Sequence, residues 1–189
     1  DRLTEDQKHL NVDRRDVENL SSLADVWWDT KGICKAMHHM QQTRVPFVQY
    51  GLIRGNMKEK WKIDRKSDAL KGFKILDVGC GAGILSESLG MLGADVVGLD
   101  PGEDLLKVAR EHLAKNVHKD LKVKYLCELI QDHVKEHGET YDAVVASEVV
   151  EHIIDKEPFL EACVAAVKPG GSVFITTLSK NWFSWIGAI

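Results

Sequence analysis

Glu148, Glu151 and His152 stand at i, i+3 and i+4 directly after an apolar run, YDAVVAS at 141–147. If the chain turns into a helix there, the two carboxylates and the imidazole share one face above the end of a strand. Such groups in a ligand crevice are costly to bury unless something positive satisfies them, and a divalent cation does so. Oxygen-rich ligation with open positions suits magnesium, which keeps waters or takes up substrate oxygens. Zinc is the second choice, because a histidine is present. His152 has the alternative of serving as a general base. The residues alone leave these roles open.

A second constellation lies upstream. In KILDVGCGAG at 74–83 the apolar Ile75, Leu76 and Val78 end in Gly79, Gly81 and Gly83. A glycine-rich turn after a buried strand lets backbone approach a ligand that side chains would exclude. A further apolar run, VVGLD at 96–100, closes on Asp100. An acid about twenty residues after the first glycine is placed to grip the hydroxyls of a ribose. The dinucleotide fingerprint G-x-G-x-x-G needs glycine where Ile84 stands, so the G-x-G-x-G spacing weakens a nicotinamide reading. A nucleoside-containing cofactor at the carboxyl ends of parallel strands is the expectation.

The elements that must carry these residues can be read from periodicity. Strands are expected at 74–79, 95–100, 122–127, 141–147 and 172–178, and helices near 83–92, 103–116, 128–137 and 156–167. This alternation predicts right-handed βαβ crossovers and an α/β, Rossmann-like, mostly parallel sheet with helices on both faces. Lys168-Pro169-Gly170-Gly171 is expected to stop the last helix and turn it into the fifth strand. Asp155 reads as a helix cap. Ahead of the sheet, residues 1–72 are expected to form a helical cap and a connection, and 73–189 the cofactor-binding core. Val17, Leu20, Ala24 and Trp27 recur at helical spacing up to a stop at Gly32, with Trp27 and Trp28 packing at the helix end. Arg44-Val45-Pro46-Phe47 reads as a helix start, with proline in its first turn. His38 and His39 have no partner at ligand spacing. The charged stretch 54–72 alternates in sign and reads as a solvated connection.

At 189 residues and 44% hydrophobic content the chain can bury one α/β core. A net charge of −4 argues against nucleic acid as a partner. Four scattered cysteines without a CxxC pair read as reduced thiols rather than disulfides or zinc ligands.

LDVGCGAG, GLDP, YDAVVASEVVEH and VKPGG together resemble the class I S-adenosylmethionine-dependent methyltransferases. The leader NVD…WWD, the segment RVPF and the E-x-x-E-H element look more narrowly like the ubiquinone-biosynthesis O-methyltransferases. The resemblance implies that Arg44 contacts the carboxylate of the cofactor's methionine moiety, which lies against Gly79. Gly81 belongs to the same loop, Asp100 matches the acid that binds the ribose, and Ser147 lines the cofactor pocket. Glu128, just past the third strand, is placed to approach the adenine. Glu148, Glu151 and His152 match the family's metal ligands, which supports magnesium over zinc. The implied substrate is a catechol or hydroquinol with a polyprenyl tail, methylated on oxygen during ubiquinone biosynthesis.

That substrate resides in a membrane. The tail SKNWFSWIGAI at 179–189 holds Trp182, Phe183, Trp185, Ile186 and Ile189 with one lysine. It reads either as a helix docked on its own domain or as an interfacial segment. The resemblance implies peripheral association with a membrane surface and with a ubiquinone-biosynthesis protein complex. The implied location is the matrix side of the mitochondrial inner membrane in a eukaryote, or the cytoplasm and inner-membrane surface in a bacterium. The family's sheet continues for two more strands, so this fold is expected to be truncated after the fifth, leaving an exposed edge. The alternatives are a non-catalytic methyltransferase-like module that binds cofactor or lipid, and a methyltransferase for another small acceptor.

Overall fold

A computed structural model describes residues 11, 12, 14–54, 68–115 and 121–177. Ahead of the sheet lie α1 (Arg14–Ser21), a 3-10 turn at Ala24–Val26 and α2 (Lys35–Arg54). There follow β1 (Lys74–Val78), α3 (Ile84–Gly90), β2 (Asp95–Leu99), α4 (Glu103–Lys115), β3 (Val123–Leu126) and α5 (Ile130–His137). The chain continues through β4 (Tyr141–Ser147), a 3-10 turn at Val150–His152, α6 (Lys156–Ala166) and β5 (Val167–Thr176). The five strands pair in the order β3-β2-β1-β4-β5, every pair parallel. This is the Rossmann-like α/β arrangement expected from the alternation.

Both sheet faces are covered, which explains the near-continuous apolar strands. Leu76 and Val78 of β1 join Val144 and Ala146 of β4 in one core cluster, with Phe159 and Cys163 of α6. Ile75, Ala143 and Val145 point the other way, against Leu85 and Leu89 of α3 and Val48 and Leu52 of α2. The strand order reverses between β1 and β4, so their carboxyl ends frame the crevice where such sheets bind ligands.

Four local expectations are corrected. The amphipathic pattern from Asp16 is not one helix: α1 stops at Ser21, where the Ser22 hydroxyl takes the carbonyl of Asn19 at 2.6 Å and competes with the helical ladder. Arg44 and Pro46 lie inside α2, not at its start. Proline in a helix interior costs about 3 kcal/mol. Burial of Val48 and Leu52 beyond it offsets that cost. Glu148 does not open a helix. It sits at φ +57° with its amide still bonded to the Thr176 carbonyl at 2.8 Å, extending the β4–β5 ladder before a 3-10 turn. Finally, β5 begins at Val167, which pairs with Tyr141. The Lys168–Gly171 stretch loops out as an irregularity before Ser172 meets Ala143.

Asp155 does cap α6, accepting from the Glu157 amide at 3.4 Å. Cys34, Cys80 and Cys163 are buried and Cys127 exposed, all as free thiols. β5 forms an edge among the described strands. The 179–189 tail and most of the 54–72 connection lie outside the described residues.

Candidate cofactor and acceptor site

Arg44, Gly79, Gly81, Asp100, Ser147, Glu148, Glu151 and His152 all line one cavity of about 320 Å³ at the carboxyl ends of β1 and β4. The sequence scattered them over more than a hundred positions, and the switch point gathers them.

The glycine loop is tightly packed by its own neighbours, with no room for side chains. Gly79 has φ +69°, and a Cβ there would collide with the Val149 side chain. Gly81, at φ +53°, faces Trp27, whose Cζ2 would lie 2.9 Å from an added Cβ. Asp100 fixes this loop. Its Oδ2 accepts the Gly81 amide and its Oδ1 the Gly102 amide, each at 2.8 Å. Burial pushes its carboxyl above the usual carboxylate range, and the two amides pull it back. A carboxylate has about four lone-pair sites, so the amides leave capacity for ribose hydroxyls.

The two tryptophans pack, as expected, and Trp27 also walls the cavity. Trp28 donates its indole N–H to the Ala82 carbonyl at 3.0 Å and stacks on His112, centroids 3.3 Å apart and 8° from parallel. His38 binds the Trp27 carbonyl at 3.0 Å, a structural partner and not a metal.

Arg44 reaches into the cavity from α2 and pairs with Glu148, Nη2 to Oε1 at 3.0 Å. The other Glu148 oxygen, Oε2, and the Oε1 of Gln41, also on the cavity wall, are buried acceptors without a hydrogen-bond partner among the described residues. Ser147 shares a hydrogen bond with Thr176 at 2.8 Å. Glu128 lies beside a neighbouring cavity of about 40 Å³ that shares Gly79 and Pro101 with the first. Its carboxylate is engaged by the buried His133 at 2.8 Å.

The helix face expected to align the metal set is the main correction. Among the described residues no three His, Cys, Asp or Glu side chains are grouped to hold an ion. Glu148 turns to Arg44, Glu151 accepts from the Thr177 hydroxyl at 3.0 Å, and His152 Nδ1 lies 2.7 Å from Asp16 Oδ2. The left-handed backbone at Glu148 and the 3-10 turn replace the helix that would have aligned them. The donor chemistry still fits a hard cation: two carboxylates and an imidazole line one cavity, and one carboxylate oxygen is an orphan. They form a donor set, not an assembled cage.

Asp77, Asp16 and Gln41 line the cavity and escaped the sequence reading. Asp77 is a carboxylate in the middle of buried β1, and its Oδ2 accepts the Ser86 hydroxyl at 2.5 Å. Burial pushes it up to about 7, and Asp100 adds to the rise while the Ser86 hydrogen bond and Arg44 oppose it. An acid flanked by Leu76 and Val78 was the available signal. Asp16 carried none, being one acid on a polar helix.

A family model described as a methyltransferase domain matches residues 76–175. The chain is 44% identical over 174 residues to the human mitochondrial ubiquinone biosynthesis O-methyltransferase, covering 92% of this chain and 46% of that protein. It is 36% identical to the ubiquinone biosynthesis O-methyltransferase of Proteus mirabilis, covering 94% of this chain and 65% of that one. The chain thus spans about half the length of the mammalian relatives it matches. Among solved structures, the magnesium protoporphyrin IX methyltransferase of Synechocystis PCC 6803 with bound S-adenosylmethionine shares the fold. Its TM-score is 0.60 at 22% identity, over 88% of this chain and 74% of that one. With that model spanning its sheet from β1 to β5, the chain belongs to the methyltransferase domain family, and it resembles the ubiquinone biosynthesis O-methyltransferases over nearly its whole length.

Proposed function

We propose that this chain binds S-adenosylmethionine in the β1–β4 crevice and transfers its methyl group to a hydroxyl of a polyprenylated catechol or hydroquinol of ubiquinone biosynthesis. The observation that carries the cofactor half is that one cavity wall beside the glycine loop holds the Arg44 guanidinium together with two unsatisfied buried acceptors, Gln41 Oε1 and Glu148 Oε2. A methionine end offers both complements, a carboxylate for the guanidinium and an ammonium for the acceptors. Gly79 and Gly81 admit that end against backbone, and Asp100 takes the ribose. Ser147 lines the cofactor side, and Glu128 stands toward the adenine.

S-adenosylmethionine supplies a methyl on a sulfonium, which an acceptor oxygen takes by in-line displacement, leaving a neutral thioether, while the hydroxyl proton passes to a base, His152 or solvent. The residues of the chain hold and align the two partners, and alignment is a large share of the barrier in such a step. Glu148, Glu151 and His152 are the residues that would hold a magnesium ion. At such a site the ion supplies Lewis acidity to the acceptor's oxygens. The acceptor class and a mitochondrial or bacterial location are supported by resemblance to relatives of that name, and association with a membrane surface and a biosynthetic complex is carried as part of the proposal. No helix of the described residues is long and apolar enough to cross a membrane. Peripheral attachment would rest on the 182–189 tail.

The test is calorimetric titration of S-adenosylmethionine, then of magnesium, followed by methyl transfer to a catechol analogue by the full-length protein. Saturable cofactor binding and metal-dependent turnover are expected. Failure to bind the cofactor would sink the whole reading. Magnesium-dependent turnover intact in Glu148→Ala would sink the metal assignment alone.

A further inference from the structure

The start of the described chain is sewn onto the loop after β4. Val12 and Ile153 form an antiparallel bridge, and the Asn11 carbonyl accepts from the Ile154 amide at 3.2 Å. The Asn11 side chain grips the Asp155 backbone from both sides. Its Nδ2 donates to the carbonyl and its Oδ1 accepts from the amide, both at 2.7 Å. This staple brings α1 alongside the 3-10 turn at Val150–His152, where Asp16 Oδ2 meets His152 Nδ1 at 2.7 Å. Asp16 and His152 both line the main cavity.

A carboxylate only accepts, so this bond places the proton on Nδ1. Free neutral histidine prefers its proton on Nε2, and the tautomer in a protein is set by the bond the other nitrogen makes. His152 Nε2 has no hydrogen bond among the described residues. We propose that Asp16 is a positioning residue that holds His152 in its Nδ1–H tautomer, so that the Nε2 lone pair faces the acceptor's hydroxyl. The same lone pair is the one a metal would take, and a carboxylate behind the ring serves either use. This rests on the methyl-transfer reading above and adds a partner from outside the sheet.

Nitrogen-15 spectra of the ring, taken where it is neutral, test the tautomer directly. The full chain is expected to show His152 protonated on Nδ1, and Asp16→Ala to shift the ring toward the Nε2–H form. Acceptor turnover should fall about 10–100-fold in Asp16→Ala with unchanged affinity for S-adenosylmethionine, and Asp16→Glu should restore part of it. An Nε2–H ring in the unmodified protein would overturn the proposal, even if Asp16→Ala failed to fold. So would ring shifts that Asp16→Ala leaves unmoved. Lack of any turnover by the unmodified chain would count against the methyl-transfer reading, while the ring spectra still judge Asp16.

Discussion

Arg44 and Glu148 neutralise each other across the cavity, Nη2 to Oε1 at 3.0 Å with side chains 11% and 20% exposed. The family resemblance implies a different ligand for each, a cofactor carboxylate for one and a metal for the other. In the structure each occupies the other's ligand position, so binding must exchange one ion pair for two. Arg44→Ala is expected to cost about 1–3 kcal/mol of stability, because it strands a mostly buried carboxylate that already has one orphan oxygen. Affinity for S-adenosylmethionine should fall at least ~10-fold, a loss of about 1.4 kcal/mol. Arg44→Lys should fall between, keeping charge without the planar fork. Urea unfolding and calorimetry measure both effects, and wild-type cofactor affinity in Arg44→Ala would remove Arg44 from the site.

Asp77 makes the site sensitive to pH near neutrality. Its carboxyl is pushed up to about 7 from an ordinary value of 3.8, chiefly by burial. The folded state therefore holds a proton that the unfolded chain has released between those values, and stability falls as pH rises through that window. The slope is about 1.4 kcal/mol per pH unit from this group, levelling off above its folded value. Asp77→Asn keeps an acceptor for Ser86 and should lose that slope. Its advantage over the unmodified chain in urea midpoint should grow from pH 4 to pH 7. Binding of a sulfonium cofactor favours the ionised carboxylate, so wild-type affinity should rise from pH 6 to pH 8 while that of Asp77→Asn stays flat. Parallel profiles for the two proteins would refute the assignment.

The fold was legible because its signals are local. Apolar runs ending in glycine or acid, and helices between them, need no tertiary information to be read, and β1 to β4 stand where their patterns put them. Gly79, Gly81, Asp100 and Ser147 could be singled out for the same reason, since each ends a strand or sits in the glycine turn, whereas Arg44 lies inside α2 and was named only through the family resemblance. The backbone of the acidic–histidine element was misjudged because i, i+3, i+4 spacing means one face only if the chain there is helical. A sheet hydrogen bond from Glu148 to Thr176, nearly thirty residues away, decided otherwise. Pairings such as Asp16 with His152 depend on how α1 docks, which the 3.6-residue pattern of α1 does not encode. Asp77 was passed over inside the apolar run of β1, and only the approach of Arg44 and Asp100 marks it as a site residue.

The Trp27–Trp28 anchor offers a last test, of how the cap region is coupled to the glycine loop. Glu87 is a carboxylate of α3 with its side chain 4% exposed, and His112 Nδ1 of α4 lies 2.9 Å and 3.0 Å from its two oxygens. The other side of that imidazole is covered by Trp28, whose indole N–H holds the Ala82 carbonyl. One ring thus satisfies a buried acid and presents a flat face to the indole that ties the chain before α2 to the glycine loop. His112→Ala should cost about 2 kcal/mol, since it leaves Glu87 buried without its partner. A double-mutant cycle with Trp28→Ala should show coupling of about 1 kcal/mol, as expected for residues in contact. His112→Phe combined with Glu87→Leu keeps the stack and removes the buried acid, and should recover most of the stability and cofactor affinity. If that pair behaves no better than His112→Ala, the stack on Trp28 contributes little and Trp28 is held by Ala82 alone.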